Sequence, residues 1–281
     1  MNRRNFIAAS LALALLGCAP SAGAAAPPFQ PKRFSVVVRG AGPDVILVPG
    51  LTASRDIWNG TVAAVPGYRY HLVQVNGFAG TAPGANASGP VVGALADEIA
   101  AYAKARGLAA PAIVGHSMGG TLAMMVAARH PGVVGKAMVV DMLPQPAGLL
   151  GSSASGVRGL AETLRGLTAS PGGRELVSSL IGMFGNPQAE ATRSDPDLVA
   201  RVTHELALTD LTPELPRMKA PLTVVYAVPD AESRAIVENG YKEAYAAKRD
   251  ARLVRIDNSG HMVMCDRPTA FHAALRAFLA R

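Results

Sequence analysis

The sequence predicts an α/β domain: a mostly parallel central sheet with helices on both faces and a helical lid inserted late in the chain. Three observations carry that expectation. Short apolar runs alternate with segments of helical spacing, as strand–helix–strand units require. The alternation breaks off near residue 143 and resumes near residue 217. Between two of the elements stands Gly115-His116-Ser117-Met118-Gly119, a glycine-bounded turn leading from an apolar run straight into a helix.

Phe34 to Val38 has strand character, and Gly40-Ala41-Gly42-Pro43 turns the chain into a second, apolar strand from Asp44 to Val48. Pro49-Gly50-Leu51-Thr52-Ala53 is a loop, and Ser54 is placed to cap a helix through Trp58 and Val62. Tyr70 to Val75 is a third strand, ending at Asn76-Gly77-Phe78-Ala79-Gly80. Val91 to Arg106 repeats apolar residues at Leu95, Ile99 and Tyr102, a helical spacing, and Gly107 closes it. The strand at Pro111 to Val114 precedes the serine turn and its helix, and Ala137 to Val140 is the next strand, ending at Asp141.

Leu160 to Leu167, Glu175 to Phe184 and Leu198 to Leu208 read as short helices broken by glycine and proline. Residues 143–216 are therefore expected to form the lid, and residues 27–142 with 217–281 the core. Strand character returns at Pro221 to Tyr226, a helix follows around Ala231 to Lys248, and Leu253 to Ile256 is the last strand. Pro268 to Arg281 closes the chain as a helix with Phe271, Leu275 and Phe278 inward. Right-handed crossovers between parallel strands gather every strand C-terminus, and the loop after it, on one rim.

The 281 residues are 49% hydrophobic and 17% charged, a globular rather than a disordered composition. The first 26 residues read as an export leader. Asn2-Arg3-Arg4-Asn5-Phe6-Ile7 resembles a twin-arginine signal, an apolar stretch runs from Phe6 to Leu16, and small residues near Ala24 and Ala26 suit cleavage. That stretch is shorter than the roughly 20 residues of a spanning helix. Leu15-Leu16-Gly17-Cys18 also resembles a lipoprotein box, so a lipid anchor at Cys18 and export of a soluble form are both open. The expected place is the periplasm or the exterior.

Without the leader the net charge falls from +7 to +5, because Arg3 and Arg4 leave with it. The remaining basic residues are scattered and not interleaved with aromatics, which argues against nucleic-acid binding. Cys265 is the one cysteine after the leader, so no internal disulfide is expected.

The chemistry is expected at Ser117. A strand–turn–helix passage holds a serine in a strained backbone conformation and lifts its hydroxyl into the open. A hydroxyl attacks a carbonyl only if a base takes its proton, and Ser259-Gly260-His261, after the last strand, supplies His261. His71, His116, His130, His204 and His272 read as packing or surface residues, with His116 turned away from the nucleophile. A carboxylate must then accept the other imidazole N–H. Asp230, beyond the Tyr226 strand, is the preferred acid; Asp141 is its competitor and Glu232 a second, while Asp257 suits a turn.

The order Ser117, Asp230, His261 on these strand ends resembles the α/β-hydrolase superfamily over nearly all of the chain after the leader. The resemblance implies that two backbone N–H groups, those of Leu51 and Met118, hold the oxyanion of the reaction. Pro49-Gly50 stands where that family commonly has His-Gly, and one strand rather than a hairpin precedes Asp44. Members with an aspartate or cysteine nucleophile are set apart by the serine at 117. The resemblance implies a small-molecule acyl substrate and no cofactor. His204-Glu205 lacks the second histidine of a zinc motif, since position 208 is leucine.

The expected activity is therefore hydrolysis of a carboxylic ester. Cleavage of amide, lactone or carbon–carbon bonds and acyl transfer remain open on the same residues, as does a binding protein without turnover. Leu149, Leu150, Leu180, Ile181, Met183 and Phe184 of the lid are the expected source of acyl-pocket walls.

Overall fold

In the computed structural model, the described residues are 29–150, 166, 170, 172, 173 and 193–281. The export leader, the side chains of Leu149 and Leu150, and the lid residues Leu180, Ile181, Met183 and Phe184 lie outside this set.

Among the described residues, seven strands form one sheet: β1 (Phe34–Arg39), β2 (Asp44–Val48), β3 (Arg69–Val75), β4 (Ala112–His116), β5 (Lys136–Val140), β6 (Leu222–Val228) and β7 (Arg252–Asp257). Their spatial order is β1-β3-β2-β4-β5-β6-β7. Only β1 runs antiparallel, against β3; every other neighbouring pair is parallel. Parallel strands are covered on both faces, which is why β2, β4, β5 and β6 are apolar almost throughout.

Alternation along β2 sorts the core into two layers. Ile46 and Val48 pack with α2 (Val92–Ala105) and α3 (Met118–Arg129), while Val45 and Leu47 pack on the opposite face with Trp58, Phe271 and Leu275. Each fully buried side chain of this kind stabilises the fold by about 1.5–3 kcal/mol. Ser54 caps its 3-10 turn as its side chain accepts the Asp56 N–H, and α1 (Asn59–Ala64) continues from there. Gly107 closes α2 with φ +61°, a left-handed conformation that suits glycine.

Of the expected lid, Pro196–Leu208 is helical (α4) and is tied to the core at two points. Glu205 accepts the N–H groups of Val91 and Val92 at the start of α2, at 2.8–3.1 Å. Arg201 donates to the main-chain oxygens of Asn86 and Ala87. Glu205, set aside in the sequence as half of a broken metal motif, thus supplies the carboxylate that a helix N-terminus favours.

The strand order also locates the site. From β2 the chain moves outwards to β3, and from β4 it moves the other way to β5, although β2 and β4 are neighbours. Loops leaving such a pair diverge and open a crevice at its carboxyl end. Val48 pairs with Gly115, so the two strands end level. The topology therefore directs such a crevice to the end of β2 and β4, where the Pro49-Gly50-Leu51 loop meets Ser117.

Candidate active site

Ser117 has φ 52° and ψ −123°, a conformation rarely adopted by non-glycine residues and held here by its surroundings. Its N–H donates to the Val140 carbonyl at 2.9 Å, and its own carbonyl accepts the N–H of Gly120 at 2.7 Å. The flanking glycines are required by contact. A Cβ on Gly115 would overlap the Gly119 carbonyl, and one on Gly119 would overlap the carbonyls of Val48 and Pro49. Gly119→Ala is accordingly expected to destabilise the fold by about 3 kcal/mol or more, checked by urea unfolding against the wild type.

Met118 opens α3, so its N–H belongs to the first turn, whose donors have no partner within the helix. Gly50 lies against the elbow, since a Cβ there would stand 3.1 Å from the Ser117 Cβ. Leu51, next in that loop, is half-buried, and Thr52 turns back with φ 63°. Met118 thus follows Ser117 directly, and Leu51 follows the glycine that packs against it.

His261 lies in the loop between β7 and the helix that begins at Val263. Its Nδ1 is 2.7 Å from Oδ2 of Asp141. The other carboxylate oxygen, Oδ1, accepts the Ala227 N–H at 2.9 Å and the Tyr241 hydroxyl at 3.0 Å. Asp141 has φ 50°, a conformation that aspartate tolerates better than most residues, and its N–H donates to Val225. Burial, with the Asp141 charge adding to it, pushes the Tyr241 hydroxyl well above its ordinary range, so it stays a donor.

Asp230, the preferred acid from the sequence, is not part of this cluster. It is exposed, and its carboxylate accepts the Ser233 N–H at 2.7 Å, which holds it below the usual carboxylate range. The reason is register. Val140 pairs with Val225, so Asp141 stands level with the next residue of β6, while β6 runs on to Val228. Asp230 is then carried four residues past that level, roughly 13 Å along an extended chain. Glu232 is also exposed, beyond the same strand end. The structure therefore replaces Asp230 with Asp141 as the partner of His261.

The other histidines sort as follows. His71 sits between Asp44 and the Tyr102 hydroxyl, away from the elbow, and His130 contacts Asp97. His116 is buried against His261, a contact that sequence reasoning missed. Only its alternation with Ala112 and Val114 along β4, which face the Trp58 layer, hinted at the side it takes. Beside the Asp141–His261 pair opens a cavity of about 430 Å³ whose walls include Leu143, Ile236, Val237 and Tyr241. Among the described residues no three His, Cys, Asp or Glu side chains gather into a metal-binding group.

Comparison with known proteins agrees with this architecture. Over 262 residues the chain is 28% identical to N-formylmaleamate deformylase of Pseudomonas putida, covering 85% of this chain and 90% of the relative. The fold superposes on the enol-lactonase of Burkholderia xenovorans with a TM-score of 0.69 at 20% identity, over 88% of this chain and 96% of that one. A thermophilic esterase from Thermogutta terrifontis superposes equally well, with a TM-score of 0.69 at 20% identity, over 88% and 93% of the two chains. The family model described as the alpha/beta hydrolase family matches residues 45–274, from the strand before the Gly50 loop to the closing helix. With that span enclosing the crevice, the elbow and the His261 loop alike, the chain belongs to the alpha/beta hydrolase family.

Proposed function

We propose that this protein is a serine hydrolase that cleaves a carboxylic ester of a small or medium acyl group through an acyl-enzyme. The observation that carries the reading is the 2.7 Å contact of His261 Nδ1 with Asp141, on a histidine bound to the residue next to Ser117. Asp141 fixes the tautomer with Nδ1 protonated, so Nε2 carries the lone pair. As the Ser117 oxygen bonds to the acyl carbon, its proton passes to Nε2 and the carbonyl π pair moves onto oxygen. The N–H groups of Met118 and Leu51 hold that oxyanion, each donor being worth about 3 kcal/mol.

Collapse of the adduct breaks the ester C–O bond, and His261 returns the proton to the departing alkoxide. Water repeats the sequence on the acyl-enzyme: His261 takes its proton, the acid leaves, and Ser117 regains its hydrogen. The apolar walls of the cavity beside His261 favour a substrate with an uncharged hydrophobic portion.

A second reading is favoured by the relatives. One relative is named a deformylase, and a protein of the same fold is named an enol-lactonase. Nitrophenyl esters of increasing acyl length, assayed beside lactones and N-formyl amides, separate the two. Highest kcat/KM on a nitrophenyl ester is the expected result. Turnover confined to the amides would reject the ester reading and leave the triad intact.

A further inference from the structure

His116 is a buried titratable group that the mechanism above does not use. It is the last residue of β4, is 2% exposed, and its ring lies 4.7 Å from that of His261. Its Nε2 is 2.9 Å from the main-chain oxygen of His261. A carbonyl can only accept, so the proton resides on Nε2. Nδ1 is buried without a hydrogen-bond partner among the described residues, and a Cβ on Gly50 would come within 3.0 Å of it.

We propose that His116 is a positioning residue: its neutral Nε2–H clamps the His261 main chain to the nucleophile elbow and holds the base beside Ser117. The inference rests on the hydrolase reading above. His261 lies in an irregular loop, and Asp141 grips only its side chain. The clamp adds a second hold, on the backbone, from a central strand that cannot shift without disturbing the sheet. In near-attack geometry a displacement of about 1 Å costs roughly 10²-fold in rate.

Neutrality belongs to the device. Protonation of Nδ1 would bury a charge and an unsatisfied donor, and burial foremost, then the nearby His261, holds the pKa down to about 3. The groups facing the ring are His261 from its loop and Asp141 from the end of β5. The Gly50 loop brings no titratable side chain. When His261 becomes cationic during attack, no second cation opposes it.

His116→Leu removes the donor at similar bulk, and His116→Gln restores an amide N–H close to the Nε2 position. We expect the leucine variant to lose about 10–100-fold in kcat with KM changed only a few-fold, and the glutamine variant to recover most of that loss. Nitrogen-detected imidazole spectra of the wild type are expected to show His116 as the Nε2–H tautomer from about pH 5 to about pH 9. A leucine variant with wild-type kcat, a glutamine variant as impaired as leucine, or a proton on Nδ1 of His116 would each overturn the proposal. The spectra require neither turnover nor a folded variant. Persistent turnover in Ser117→Ala beside the expected His116 tautomer would instead reject the hydrolase reading.

Discussion

Ser117→Ala is expected to lower kcat/KM on an activated ester by about 10⁴-fold or more, with little change in the melting temperature. The expectation follows from the geometry of the elbow. The serine's backbone bonds run through its N–H and carbonyl, to Val140 and Gly120, and alanine can make both. The strained φ of 52° belongs to the turn and not to the hydroxyl, so the variant keeps the fold and loses only the attacking atom. Residual activity is expected from the proposed oxyanion donors and from substrate binding, which the substitution leaves in place. The measurement is steady-state turnover with a circular-dichroism melt as control. Activity within tenfold of the wild type would remove Ser117 from the mechanism.

The second large effect separates the two aspartates. Asp141→Asn is expected to reduce kcat by about 10³–10⁴-fold, because an amide can present N–H to His261 Nδ1 and favour the wrong tautomer. The same change weakens the acceptor that Ala227 and Tyr241 use, so some loss of stability accompanies it. Asp230→Asn should leave kcat within a few-fold of the wild type, since that carboxylate is exposed and engaged with its own loop through Ser233. Side-by-side kinetics of the two variants decide the matter. A larger loss in Asp230→Asn would mean that the acid changes partners in solution, and the assignment of Asp141 would fail.

Much of the candidate site was legible before any coordinates, and the residues show why. Ser117 and its glycines form a local pattern in which the turn, the close approach and the helix start all lie within a few positions, so neighbouring sequence carries the full requirement. His261 follows the last apolar run directly, and the rim rule for parallel strands then places it near the elbow. Strand positions came from apolar runs, since a strand buried on both faces has little choice of composition. The strand read as ending at Tyr226 continues to Val228, and that extension carries Asp230 beyond the level of Asp141.

Composition and short-range pattern were sufficient for the α/β class and for singling out Ser117 and His261 as candidates, because each rests on contacts between residues close in the chain or on the burial of whole strands. The choice between Asp141 and Asp230, and the bond from His116 to the His261 backbone, emerged only on folding. Both depend on how far one strand slides beside another, and a shift of a few ångströms there has no counterpart in local sequence. The carboxylate that faces the imidazole is selected by the pairing of β5 with β6, a relation between segments more than eighty residues apart.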